Sequence, residues 1–204
     1  MAEKKSKTSL IMSTVRSIIN SFSQSLDSST TKANLAELRN SVGRPLDQSL
    51  KALQIVFENL PEELAGTSGS LTREELVIFT TIQLYAIYQQ SNTESVDFYK
   101  DEAKNYNIGY SLSTLRGADA SLSTDERFNA MITSQSFEEL VIHLRQMIKL
   151  LKAKNKDVKI NFVKLSRDLY SFLFEDRNKV KLNWSRSYYR TKSKEEKEGE
   201  EDEK

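Results

Sequence analysis

Apolar residues recur at three- and four-residue steps along nearly the whole chain, and only six glycines and two prolines interrupt that rhythm. Such a period places the apolar positions on one face of an α-helix, whereas a half-buried strand needs strict alternation. An all-α chain is therefore expected: a compact bundle of about eight to nine helices with very little strand. Leu10, Ile11, Val15, Ile18, Ile19, Phe22 and Leu26 predict a first helix over about 9–26. A shorter helix over 32–40 stops at SVGRP, where Gly43 permits a turn and Pro45 cannot continue the hydrogen-bond ladder. A third helix, over 46–59, is expected to bury Leu46, Leu50, Leu53, Val56 and Phe57.

Three further helix starts carry a capping pair, in which a Ser or Thr and a Glu three residues later each satisfy the other's free backbone N–H. The pairs are Thr72 with Glu75, Ser123 with Glu126, and Ser136 with Glu139. Helices near 107–116, 161–175 and 177–190 complete the expected set. The polar stretch 91–106 reads as a loop joining an N-terminal lobe, 9–90, to a C-terminal lobe, 107–190, with a flexible segment at 1–8 and a disordered acidic tail at 191–204.

Catalytic constellations lack their parts. No cysteine is present, which excludes disulfides, thiol catalysis and the usual structural zinc, and favours an intracellular, cytoplasmic protein. His143 is the sole histidine, so Ser-His-Asp and two-histidine metal sites cannot be built, and it sits at the edge of an apolar face as a packing residue. The acidic pairs Glu62–Glu63, Glu74–Glu75 and Glu138–Glu139 fall at helix starts, where the helix dipole favours them. GTSGS lacks the lysine and preceding strand of a phosphate-binding loop. SLIMSTVRSIIN is interrupted by Arg16 and reads as neither signal peptide nor membrane span. A non-enzymatic protein without cofactor, metal or membrane attachment is expected.

Charge is segregated. The chain has 30 basic and 29 acidic residues, but 191–204 holds four Lys against six Glu and one Asp, which leaves the body basic. Residues 177–190, RNKVKLNWSRSYYR, contain five cations, three aromatics and no carboxylate. On a helix, Lys179, Arg186 and Arg190 fall within about 40° of one another, opposite a stripe of Val180, Trp184 and Tyr188. The aromatics are thus expected to pack inward while the three cations project outward. A second row, Arg145, Lys149 and Lys152, lies beside the apolar face of Phe137, Leu140, Val141, Leu144, Met147, Ile148 and Leu151. Single arginines stand near turns: Arg39 and Arg44 around NSVG, Arg116 before Gly117, and Arg127 just after a helix start. Such cations are a solvated surface or a phosphate-binding one, and composition does not separate the two.

The order of segments resembles the CasB family, the small subunit of the type I-E CRISPR surveillance complex Cascade. The resemblance is carried by LAELRNSVGRP (35–45), LYAIYQQ (84–90), IGYSLSTL (108–115), DERFNAMITSQSFEELVIHLRQMIKLLK (125–152), INFVKLSRDLYSFL (160–173) and VKLNWSRSYY (180–189). It implies a non-catalytic helical subunit of antiviral defence, present as a pair. Such a subunit binds guide crRNA and target DNA, beside the large and backbone subunits, and steadies the hybrid and the displaced strand. The family's basic motif positions fall on Arg39, Arg44, Arg127, Arg145, Arg186 and Arg190. Asn40 and Gln146 stand where relatives often have a second arginine, and Tyr110 where a basic residue is common, so those contacts are expected to be weaker here or redistributed to Lys149 and Arg116. The competing reading is an unrelated helical scaffold or adaptor that binds protein partners only. Salt separates them, because counterion release makes nucleic-acid affinity fall steeply with salt.

Overall fold

The computed structural model describes residues 6–98, 106–116, 121–174 and 176–190. Among them nine α-helices follow one another: α1 (Lys7–Ser23), α2 (Ser29–Asn40), α3 (Leu50–Phe57), α4 (Arg73–Gln89), α5 (Ile108–Ser113), α6 (Ser121–Thr133), α7 (Phe137–Lys154), α8 (Phe162–Phe174) and α9 (Arg177–Arg190). The expected all-α class holds. The extended pairing among the described residues is a single parallel bridge between Asp97 and Ile160. The acidic segment 191–204 lies outside the described residues, as do 1–5 of the expected N-terminal segment.

α4 is the central helix. Val77, Ile78, Ile82, Tyr85, Ala86 and Tyr88 are all buried, because α1, α2, α7 and α8 pack around it. Its start carries the expected capping box: Thr72 Oγ1 accepts the Glu75 N–H at 3.1 Å and Glu75 Oε2 accepts the Thr72 N–H at 2.7 Å. Glu74 has a partner beyond the helix dipole, since its Oε1 accepts Lys7 Nζ at 2.7 Å and the Tyr170 hydroxyl at 3.1 Å, which ties the starts of α1 and α4 to α8. Burial by itself raises this carboxyl, but the hydrogen bonds outweigh it and hold Glu74 below the ordinary carboxylate value.

α8 packs on α1 and α4 on one side and on α9 on the other, so one hydrophobic core joins the two expected lobes. The described part of the 91–106 segment is fastened to that core. Ile160 N–H donates to Val96 O at 3.0 Å, Phe98 N–H donates to Ile160 O at 2.9 Å, and Asp97 Oδ1 accepts the Phe162 N–H at 2.9 Å. α5 lies against α9 at Gly109, where a Cβ would stand 2.1 Å from the Trp184 carbonyl oxygen. Only a glycine allows that approach.

Two expectations are corrected. The helix over 46–59 is broken: Leu46–Gln48 forms a 3-10 turn, Ser49 leaves helical geometry, and α3 begins at Leu50. The break resets the helical phase, so α3 buries Ala52, Leu53 and Val56, while Leu46, Leu50 and Phe57 are 44%, 65% and 44% exposed. The second correction concerns α6, which begins at Ser121, so Ser123 and Glu126 lie inside the helix rather than at its cap. A Ser and a Glu three apart also share one helix face, so the pattern alone does not mark a start. At α7 the cap is present in altered form: Ser136 Oγ accepts the Glu139 N–H at 3.1 Å, but the Glu139 carboxylate reaches one residue further back, to the Gln135 N–H at 2.6 Å. No helix among the described residues is long and apolar enough to cross a membrane.

Candidate nucleic-acid interface

α9 sorts its five cations by helical phase. Val180, Trp184 and Tyr188 are buried, as their spacing predicts, and they seat the helix on the body. Tyr188 stacks on Phe128 with ring centroids 3.7 Å apart, and its hydroxyl donates to Asp125 Oδ1 at 2.7 Å. Lys179, Arg186 and Arg190 lie on the opposite side and are exposed. Arg177 and Lys181 go elsewhere: they donate to the carbonyls of Gln135 and Ser134, Lys181 at 2.7 Å, and both lie over the Phe172 ring. They satisfy backbone carbonyls of the turn between α6 and α7. Sequence alone had no signal for that, because the acceptors lie more than 40 residues away.

The third aromatic departs from expectation. Tyr189 is 38% exposed and does not join the inward stripe, because it stands one helical step beyond Tyr188. Leu182, 50% exposed, is likewise on the outer side.

A second basic region joins elements distant in sequence. α2 ends at a turn in which Gly43 adopts φ +75°, a left-handed conformation that favours glycine. Gln83 of α4 donates to Ser41 Oγ at 2.8 Å and anchors that turn. The Arg145 guanidinium lies 3.6 Å from the position a Gly43 Cβ would take, so the turn and α7 meet there. Arg44 and Lys149 are exposed, and Arg39 and Arg145 are half-buried. Lys152 donates its ammonium to the Ile87 carbonyl near the end of α4, at 2.9 Å. Burial, and after it the positive charge of Arg39, push that ammonium down to about 8. The row of α7 is therefore graded, with Lys149 outward and Lys152 committed to a helix end.

Arg116 is engaged as well. Its Nε and Nη2 bind the two Asp125 oxygens at 3.0 and 3.2 Å, and its guanidinium carbon lies 5.2 Å from the Tyr188 centroid and 4.9 Å from that of Tyr189. Arg127, two residues beyond Asp125, is exposed. Asn40 and Gln146 are exposed beside Arg39 and Arg145, and Tyr110 is half-buried with its ring 4.3 Å from that of Tyr106.

Solved structures share this arrangement of helices. CasB from M. ruber superposes with a TM-score of 0.65 at 22% identity, covering 95% of this chain and 98% of that one. CasB from Thermobifida fusca gives 0.64 at 20%, covering 90% and 97%. A Cse2-family CRISPR-associated protein from Thermus thermophilus gives 0.62 at 18%, covering 86% and 97%. At such identities the likeness defines a class by its fold, that of helical proteins of the CasB type. The sequence profile described as CRISPR-associated protein Cse2 matches residues 34–189, well over half of the chain. The chain belongs to that family, the CasB or Cse2 family of type I-E Cascade. No curated protein sequence matches it.

Proposed function

We propose that this chain is the non-catalytic small subunit of a type I-E Cascade complex in the cytoplasm. In this reading it is present there as a pair beside the large and backbone subunits. Its basic helix faces bind the backbones of guide crRNA and target DNA and so steady the hybrid and the displaced strand. The observation that carries this reading is the sorting on α9: Lys179 and Arg186 are exposed on the side away from the buried Val180, Trp184 and Tyr188, with Arg190 exposed on the same side, while Arg177 and Lys181 bind carbonyls of a neighbouring turn. Cations held on a rigid helix read charge and spacing, and base pairing by the guide supplies sequence discrimination. The region of Arg39, Arg44, Arg145 and Lys149 supplies a second run of phosphate contacts, and Arg127 an isolated one. Arg116 and Lys152 contribute by holding neighbouring elements in place.

The test is a salt titration of target binding by the assembled complex, with wild-type protein and with Arg186 and Arg190 both changed to Glu. Each lost phosphate contact lowers the slope of log affinity against log salt by about 0.7 for single strands and about 0.9 for duplex. The double variant is expected to assemble, keep its helicity and show a slope shallower by about 1.4 to 1.8. An unchanged slope with full assembly defeats the phosphate role of α9. Failure to assemble assigns these arginines to subunit contacts, as the adaptor reading requires.

A further inference from the structure

Tyr189 is the outward aromatic of α9, and it is held rigidly. Its hydroxyl donates to Asn129 Oδ1 at 2.8 Å. Its ring stands perpendicular to those of Tyr188 and Phe128, with centroids 5.0 and 5.9 Å away. The guanidinium carbon of Arg116, itself fixed by both oxygens of Asp125, lies 4.9 Å from its centroid. A ring with so many contacts has little rotamer freedom left to lose, so a ligand that settles on it meets a small entropic penalty.

Its neighbours on the helix are the outward cations. Arg186 stands one turn before it and Arg190 follows it directly, and both are exposed. Leu182, Arg186 and Tyr189 fall within about 60° of one another around the helix axis. A face that only follows phosphates needs cations and nothing else. A partly exposed, immobilised ring that has Arg116 over one face and stands beside two exposed arginines has instead the composition of a single-strand surface, in which cations follow the backbone and the open side of the ring accepts the face of a base. A duplex keeps its bases in the stack and offers no such face.

We propose that Tyr189 is a base-stacking site, which takes one unpaired nucleobase of a single-stranded nucleic acid whose backbone follows Arg186 and Arg190. This rests on the nucleic-acid reading of α9 given above. The unpaired base comes from DNA or from RNA, and the two are separated by using an oligothymidylate and an oligouridylate as probes.

The experiment measures binding of both probes, of a duplex of equal length, and of an abasic strand with the same number of phosphates, to the full chain as wild type, Tyr189→Ala and Tyr189→Phe. Tyr189→Ala is expected to weaken binding of at least one single-stranded probe by about 5- to 150-fold, the worth of one stacked base, with the salt slope and the duplex affinity unchanged. Tyr189→Phe keeps the ring and is expected to bind within a few-fold of wild type. The wild-type chain is expected to hold the abasic strand more weakly than the intact one, and equal affinity for the two overturns the proposal even where the alanine variant fails to fold. Equal affinity of Tyr189→Ala and wild type, or of abasic and intact strands, on a steep salt slope means that phosphates are read and the ring is not. A wild-type chain with a flat salt slope removes the phosphate reading itself. Retained strand binding with lost assembly of the complex makes Tyr189 a subunit contact and overturns the proposal.

Discussion

Trp184 donates its indole N–H to Asp168 Oδ2 at 2.7 Å, from α9 to α8, and the ring around that bond is fully buried. The carboxylate also faces Lys164 Nζ, 3.4 Å from its other oxygen. Burial raises the Asp168 carboxyl from its ordinary value, and Lys164 and the indole N–H oppose that rise. One residue thus supplies both apolar contact and the donor that makes a buried charge tolerable, and α9 with its outward cations depends on it.

Replacing Trp184 by Ala is accordingly expected to destabilise the fold by about 3–5 kcal/mol through the cavity it leaves. Trp184→Phe keeps most of the apolar contact and removes the donor, which costs about 1–3 kcal/mol for a buried partner left short of a hydrogen bond. Urea denaturation followed by circular dichroism measures both. A melt like that of the wild type for Trp184→Ala contradicts the buried placement.

Gly109→Ala tests the approach of α5 to α9. The added methyl meets the Trp184 carbonyl oxygen at 2.1 Å, so the helices must separate, at a cost of about 1–3 kcal/mol. Gly69→Ala, with nothing within 4 Å of the new atom, is the control and is expected to leave the melting temperature unchanged or slightly raised.

Asp97 makes stability depend on pH. Burial pushes its carboxyl from 3.8 up to about 6, against the Phe162 N–H and the charges of Arg16 and Lys159. A folded-state value above the unfolded one means that proton binding favours the folded chain. That contribution is complete below pH 3.8 and is lost as pH rises through about 6. Asp97→Asn keeps an oxygen acceptor for the Phe162 N–H and has no charge to bury. The variant is expected to be more stable than wild type at pH 8 by at most about 3 kcal/mol, and to match it near pH 4. Urea midpoints at the two pH values provide the check, and a gap that does not close on acidification refutes the assignment to Asp97.

Arg116→Ala and Arg186→Ala are expected to fail in different ways. The first removes both hydrogen bonds from Asp125 and the cation over two tyrosine rings, and lowers stability by about 1–3 kcal/mol. The second leaves the melt unchanged and lowers the salt slope of nucleic-acid binding by about 0.7 for a single strand. Thermal melts paired with salt titrations distinguish them, and a melt lowered by Arg186→Ala argues against its purely outward role.

Local spacing and local hydrogen bonds were legible in the sequence. Helical periodicity places α1, α7, α8 and α9 to within a few residues, the Thr72–Glu75 pair marks the start of α4, and the four-residue steps from Val180 through Trp184 to Tyr188 identify the inward face of α9. Each depends on residues no more than a few positions apart, which the backbone geometry of a helix brings together whatever surrounds it. The family, too, is legible in the order of segments, and the profile match over 34–189 agrees with it.

Which cations and rings are engaged within the fold and which are exposed was decided only by the tertiary structure. Arg116 and Arg186 read alike in a sequence, yet one is locked on Asp125 and two tyrosines while the other faces solvent. Lys152 reads as the third member of a phosphate-binding row, but the chain brings the Ile87 carbonyl to it from 65 residues away. Leu46, Leu50 and Phe57 keep an apolar spacing that Ser49 throws out of phase, so the neighbours of α3 see other residues. Tyr189 is outward because Tyr188, one residue earlier, takes the place against Phe128. In each case the deciding partner belongs to a distant segment, and a side chain's free energy depends on what packing sets beside it, which no short-range pattern records.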